Sequence, residues 1–474
     1  MILQHPALYT DLYELTMAQG YFLSGKHEQQ ANFDYFFRKL PFSGGYVIFA
    51  GLSDLLELIE SYSFTDDELH YLREQGFRED FLEYLKTFKF QGSIYSVKEG
   101  EVVFANEPIV RVEGNILETQ LLETILLNTL NFESLIATKA SRIVQACNGR
   151  PVLDFGLRRA QGLGGLQASK AAVIGGAKGT SNVMAGHLYG TPVSGTMAHS
   201  WIQSFEDELT AFRTYARFYP DNSILLVDTY DTLNSGLPNA IKVAKELESE
   251  GHKLKAIRLD SGDLAYLARK SRNMLDQAGL DYVQIAASNQ LDEHVIKSLM
   301  DQNAPIDLFG VGTKLVTAYD DPALDGVYKL SSVNEKPSIK ISDNEEKITL
   351  PGSKKIIRFH NEDGSFNSDG ILLDDESNVD EIFHPYISHQ SRKVKEFEAR
   401  ELLHKVVDGG KISANIPAAE ESAEYAQKRL SELNQEHKRF DNPHIYKVGL
   451  SKQLLKLKEQ LIENHRSNES FINR

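Results

Sequence analysis

The sequence predicts an α/β protein: a parallel-sheet domain with a β-rich α+β domain on its N-terminal side. Three observations predict it. From residue 151 onward, short apolar runs end in polar or charged residues: PVLDFGLRR, TPVSGTMAHS, ILLVDTYDT, LKAIRLDSGD, YVQIAASNQ and IDLFGVGTK. From Val227 to Arg258 to Ile285 to Leu308 these runs recur about every 25–30 residues, the size of a strand plus a returning helix. Stretches rich in β-branched residues and punctuated by Gly and Pro flank this region on both sides.

The elements follow in chain order. Leu8, Leu12, Leu15 and Met17 have helical spacing before Gly25, so residues 8–24 read as one helix. NFDYFFRKL reads as a strand, and LSDLLELIESY and FLEYLKTF as helices. Residues 92–114 are strand-like, and a long apolar helix is expected over 116–147. Between the later strands, Leu264, Leu267, Ala268, Met274 and Leu275 share one helical face, and so do Leu291, Val295 and Leu299. After residue 330 strand and turn patterns return, and 418–438 and 450–465 read as surface helices. The expected domains are 1–115 (α+β), 116–330 (parallel α/β barrel), 331–415 (β-rich, returning to the N-terminal domain) and 416–474 (a helical tail). A doubly wound sheet gives a similar string, so periodicity leaves barrel closure open.

Composition narrows the function. A net charge of -16 argues against general nucleic-acid binding, while a local cluster of donors still suits a compact anion. Cys147 is the single cysteine, which excludes an intrachain disulfide and a multi-thiolate zinc site. No apolar run reaches membrane-spanning length, and the first twenty residues carry Asp11 and Glu14 without a basic region. A cytoplasmic setting, with no membrane partner, is expected.

In a parallel α/β barrel the carboxyl ends of the strands carry the chemistry. Here those ends hold Arg158, His199, Asp228, Arg258, Asp260, Asn289 and Thr313. In DFGLRRAQG, Arg158 and Arg159 suit a phosphate or carboxylate; an ordinary ion pair is the plain alternative. IGGAKGTSNVMAG lacks the P-loop spacing, so an ordinary turn is favoured there. In IRLDSGDL, Arg258 and Asp260 alternate with Ile257 and Leu259 and point to the opposite strand face. In a barrel that face is the interior, where unpaired charge is costly, so a ligand or ion-pair role outweighs a passive one. Asp263 or Ser261 suits a helix cap. In FGVGTKL, Gly312 and Thr313 suit a 5′-phosphate at a helix start, or a simple threonine cap. His199 is open between a structural histidine, a metal ligand and a nucleophile. His187 and His199 have no metal-binding spacing, although Asp228, Asp231 and Asp260 keep a metal-dependent barrel hydrolase in play. A barrel that binds a nucleotide without catalysis is a further alternative.

Seven stretches in fixed order narrow these alternatives: YTDLYELTMA, DFGLRRAQG, GTSNVMAG, GTMAHSWIQSF, LLVDTYDT, IRLDSGDL and FGVGTKL. Together they closely resemble the nicotinate phosphoribosyltransferase family of NAD salvage, over at least residues 8–330. The resemblance implies an irregular α/β barrel of the type II phosphoribosyltransferases with a β-rich N-terminal domain. It implies a reaction of nicotinate with 5-phosphoribosyl 1-diphosphate, coupled through a phosphohistidine to hydrolysis of ATP as co-substrate, with Mg²⁺ accompanying the diphosphate and ATP. It implies a homodimer with shared active sites. Carried over by residue, His199 is the phosphorylated side chain, and Tyr9, from the partner subunit, sandwiches the pyridine ring with Phe155. Arg158, Thr196 and Arg258 surround nicotinate and diphosphate, and Asp260 orients the ribose or its metal. Asn289 joins the substrate site, and Gly312 and Thr313 hold the 5′-phosphate. Ser181 stands where nicotinamide-using relatives carry an aspartate. The nicotinamide enzyme is therefore the nearest alternative.

Overall fold

The computed structural model describes residues 5–387 and 389–472. Residues 1–4 of the expected N-terminal domain and 473–474 of the expected tail lie outside the described residues, as does Ser388. By its internal contacts the chain forms two compact units: 1–135 with 323–417 and 425–474, and 136–322 with 418–424.

The first unit is built on two larger sheets. One runs Lys336–Pro337, Gly326–Val333, Gln30–Phe37, Val110–Asn115, Ser93–Ser96, His404–Asp408, Lys411–Ile412, with antiparallel neighbours throughout. The strand Gln30–Phe37 alternates, burying Ala31, Phe33, Tyr35 and Phe37, as an aromatic strand with one packed face does. Phe33 stacks on Tyr328 of the neighbouring strand, with ring centroids 4.7 Å apart. The other sheet runs Ser391–Lys393, Glu381–Phe383, Val448–Leu450, Phe366–Leu373, Lys354–His360, Glu398–Glu401, with one parallel pair, Phe366–Leu373 beside Val448–Leu450. The later segments also form the helix Lys452–Ile472 and, from Tyr425 on, part of the helix Ala419–Glu432.

Two helical expectations in this unit need correction. Residues 8–24 are not one helix: a short turn Pro6–Leu8 ends at Tyr9, and the helix is Leu12–Leu23. Pro6 starts the turn, and Asp11 is extended, its N–H given to Thr124 Oγ1 at 3.3 Å. Residues 116–147 are likewise divided, into Ile116–Gln120 and Glu123–Ala146. The hydroxyl of Tyr62 donates to Leu121 O at 3.1 Å, and Thr119 Oγ1 donates to Asn115 O and Ile116 O. Such side-chain bonds compete with the helical ladder.

The second unit holds a parallel sheet in the order Val152–Asp154, Leu308–Val311, Gln284–Ser288, Ala256–Leu259, Ile224–Leu226. Beyond Asp154 it is extended by single parallel bridges to Thr180 and from Thr180 to Val193. Helices Leu237–Ser249, Leu264–Gln277 and Glu293–Asp301 return the chain between strands, each burying an apolar face. The apolar strand cores lack polar alternation because both faces of a parallel sheet are covered. The turn after Leu308–Val311 leads into a single helical turn, Thr313–Val316, rather than a full returning helix.

Candidate active site

The carboxyl ends of the parallel strands bring together side chains from four stretches of the second unit. Arg258, the penultimate residue of its strand, is 15% exposed. Its Nη1 donates to Thr196 Oγ1 and to Met197 O, the latter at 3.2 Å. Its Nη2 lies 3.7 Å from Asp260 Oδ1, too far for a hydrogen bond, and its Nε is buried with no partner. Arg258 and Asp260 therefore do not simply satisfy each other. Burial lowers the Arg258 pKa from its ordinary value, Asp260 and Asp228 oppose that, and the nearby charge of Arg158 adds to it. A guanidinium in this state gains from an added anion.

Asp260 follows the strand directly and accepts from Ser288 Oγ at the end of the next strand. Asp228 Oδ2 accepts from Asp260 N at 2.7 Å and Ser261 Oγ at 2.8 Å, while Asp228 Oδ1 is buried without a partner. His199 opens the short helix His199–Gln203. Its Nδ1 lies 3.0 Å from Thr229 Oγ1, and its Nε2 lies 3.9 Å from Asp260 Oδ2. Two residues before Thr229 the backbone packs closely on Gly236, where a Cβ would sit 1.8 Å from Val227 O.

At the far edge of the same sheet, Phe155 N donates to Val311 O at 2.8 Å. The Phe155 ring lies over Gly310, where a Cβ would meet it at 2.4 Å, so only glycine leaves the ring this position. Gly312 also packs closely, a Cβ there meeting Phe155 O at 2.9 Å. Thr313 opens the single helical turn, and Gly312, not a hydroxyl, occupies its cap position. Arg158 is exposed in the turn Leu157–Arg159. Asn289 follows Ser288 in the left-handed region with φ 82° and is exposed.

Ser181 donates its N–H to Asp154 O at 2.8 Å. It does not cap the following helix; Asn182 does, accepting from Ala185 N at 3.2 Å. Asp263 caps its helix through Tyr266 N at 3.0 Å, while Ser261 is engaged with Asp228. Behind Ser181 lies a buried network centred on Asp154, which accepts from Gly156 N, Ser169 Oγ and Thr180 Oγ1 at 2.8, 2.9 and 2.7 Å. Burial raises the Asp154 pKa from its ordinary value and these hydrogen bonds oppose it. Tyr9 belongs to the first unit, where it ends the turn Pro6–Leu8 and is 41% exposed.

Sequence reasoning missed Thr229, Ser288 and the Ser169–Thr180–Asn182 network. The signal for Thr229 and Ser288 was their place, immediately after Asp228 and immediately before Asn289 at strand ends. Among the described residues, no group of three His, Cys, Asp or Glu side chains is arranged to hold a metal ion.

Fold and cluster together define an α/β enzyme with a polar, charged cluster at the carboxyl ends of a parallel sheet. The chain belongs to the nicotinate phosphoribosyltransferase family. The family model matches residues 151–384, its N-terminal domain 8–131 and its C-terminal domain 353–458. A nicotinate phosphoribosyltransferase of Bacillus subtilis is 47% identical over 472 residues, covering 97% of this chain and 96% of that protein. One from Dictyostelium discoideum is 38% identical, covering 94% and 86%. The crystal structure of human nicotinic acid phosphoribosyltransferase superposes with a TM-score of 0.86 at 31% identity, covering 95% of this chain and 99% of that one. A nicotinate-nucleotide pyrophosphorylase from Pyrococcus furiosus shares the fold, with a TM-score of 0.71 at 24% identity.

Proposed function

We infer that this chain is a nicotinate phosphoribosyltransferase. The ring nitrogen of nicotinate bonds to C1 of 5-phosphoribosyl 1-diphosphate, the C1–O bond breaks, and diphosphate leaves with the electron pair. The observation that carries the reading is the convergence of Thr196 and His199 with Arg258 and Asp260, two separate sequence stretches, on one strand-end cluster within this family's fold. Such a transfer needs little acid–base chemistry, so positioning and electrostatic stabilisation supply most of the rate. Arg258, with an unpartnered Nε, and Arg158 receive the anionic groups. Phe155, packed against Gly310, forms one side of the pyridine slot. Ser181 faces the nicotinate carboxylate, Asn289 joins the substrate site, and Gly312 and Thr313 take the 5′-phosphate.

Mg²⁺ enters as part of the diphosphate and ATP substrates and neutralises their charge. A carboxylate-poor site fits this, since Mg²⁺ is commonly held by one or two carboxylates plus substrate phosphates. Asp228 Oδ1, buried and unpartnered, and Asp260 Oδ2 are the oxygens available to it.

His199 is the phosphate acceptor. With Nδ1 engaged by Thr229, Nε2 is the nitrogen that attacks the γ-phosphorus of ATP as the bond to ADP breaks. The finer architecture we propose is an irregular barrel formed as the parallel sheet curls, with the companion domain assembled from both ends of the chain. We place the protein in the cytoplasm as a homodimer. No helix among the described residues is long and apolar enough to cross a membrane. Tyr9 of a second copy completes the pyridine slot; Tyr9, Leu12, Tyr13 and Met17 are all exposed in their own chain. The test is diphosphate release from 5-phosphoribosyl 1-diphosphate with nicotinate or nicotinamide, each with and without ATP. Release that depends on nicotinate and rises with ATP supports the reading; equal or greater release with nicotinamide overturns it.

A further inference from the structure

The first unit contains a cavity of about 170 Å³ that none of the active-site residues above lines. Asp34, from the strand Gln30–Phe37, forms part of its wall and is 3% exposed. Asp34 Oδ2 lies 2.7 Å from Lys354 Nζ, but Oδ1 is buried with no hydrogen-bond partner. Lys354 has no spare donor for it, because its ammonium also donates to Leu350 O and Gly352 O at 2.9 and 2.5 Å. A buried carboxylate oxygen left unpaired is rare in native folds and points to a missing donor.

A second polar group in the lining is also short of partners. Lys458, 6% exposed, donates to Pro385 O at 3.2 Å and lies 5.2 Å from the centre of the Tyr386 ring. That uses one of three ammonium donors. Glu345 and Glu459 act on it only through space. The rest of the lining is largely apolar, with Phe36, Phe104, Ile348, Ile371, Val448 and Leu450 among it. An apolar cavity of about 150 Å³ accommodates benzene, so this one admits one ring with short substituents.

We propose that this cavity is a binding site for a small single-ring acid that also carries a hydrogen-bond donor. The ring fills the apolar lining, an O–H or N–H donates to Asp34 Oδ1, and the acid group accepts from Lys458. The site is separate from the strand-end cluster and does not depend on the reaction assigned to it.

The probe is 4-hydroxyphenylacetate, added to the full chain and followed by calorimetry and ligand-observed NMR. Saturable binding of one molecule per chain is expected, unchanged by saturating nicotinate and retained in Arg258→Ala. Lys458→Met removes a charge-assisted bond and should weaken binding about tenfold or more. Phenylacetate, which lacks the donor, should bind less tightly than the hydroxylated probe. Val448→Phe fills the cavity and should abolish binding, with nicotinate turnover retained as evidence of folding. Absence of saturable binding, binding indifferent to both Lys458→Met and the missing hydroxyl, or loss of binding in Arg258→Ala overturns the proposal.

Discussion

The imidazole of His199 is held at one nitrogen and free at the other. Nδ1 lies 3.0 Å from Thr229 Oγ1, and Nε2 faces Asp260 Oδ2 at 3.9 Å. Orientation of this kind prepares a nucleophile without touching the phosphate. His199→Ala is expected to lose ATP hydrolysis and acid-labile phosphate labelling while slow nicotinate-dependent turnover persists. Thr229→Val should slow labelling by about fivefold, the worth of one neutral hydrogen bond, without changing ATP-free turnover. Labelling of the His199→Ala protein by γ-labelled ATP would assign the acceptor elsewhere.

Arg258→Ala is expected to fold normally and lose about ten- to a hundredfold in kcat/KM, the typical worth of a charge-assisted contact of about 1.5–3 kcal/mol. Arg258→Lys keeps the charge but not the planar guanidinium, whose Nη1 bonds Thr196 and Met197 while Nη2 and Nε remain for an anion, and should recover little. Near-normal kcat/KM in the alanine variant would remove Arg258 from the substrate site.

Tyr9→Ala addresses the shared site. Mixed with a His199→Ala or Arg258→Ala protein under subunit exchange, it should restore partial activity, because each site then draws intact residues from different chains. With exchange verified by mass spectrometry, a failure to recover activity contradicts the in-trans role.

Ser181→Asp tests substrate choice. The cap of the following helix belongs to Asn182, so the change leaves that cap in place. An aspartate would face the nicotinate carboxylate. Two unit charges ~4 Å apart at an effective dielectric of 20 repel by about 4 kcal/mol before solvent relaxes the effect. Nicotinate use should fall at least ~10-fold, with a smaller gain for nicotinamide. An unchanged ratio of the two kcat/KM values rejects this role for Ser181.

Asp154→Ala removes the acceptor of the Gly156 N–H and one acceptor each of two buried hydroxyls, leaving Ser169 Oγ its bond to Gly165 O and Thr180 Oγ1 a 3.3 Å bond to Ser169 Oγ. A loss of roughly 2–4 kcal/mol in stability is expected, measured as a lower urea midpoint at unchanged slope. A midpoint matching the parent protein would show that the remaining bonds of Ser169 and Thr180 are sufficient without Asp154.

What was readable in advance divides by physical cause. Arg258 and Asp260 were legible because charge on the buried face of a strand is expensive and needs a reason. Thr229, Ser288 and Thr180 were not, because hydroxyl residues are cheap almost anywhere and carry no such signal. The parallel strands stood out through their recurrence, while the break at Leu121 did not, since it depends on a tyrosine hydroxyl 59 residues away in sequence. Apolar spacing alone puts Tyr9 inside a helix; Pro6 and the extended Asp11 outweigh that spacing. The seven motifs narrowed the family where periodicity left barrel and open sheet equal.

The strand Gln30–Phe37 has one neighbour, Val110–Asn115, made soon after it and another, Gly326–Val333, made far later. During synthesis roughly 200 residues separate the two, about 10–40 s at 5–20 residues per second. For that interval the nascent chain carries an aromatic-rich strand with one open edge, a template for pairing with other chains. Asp34 sits in the middle of that strand, and a charge there discourages such pairing. The carboxylate that is costly to bury in the finished protein thus protects the unfinished one on the ribosome.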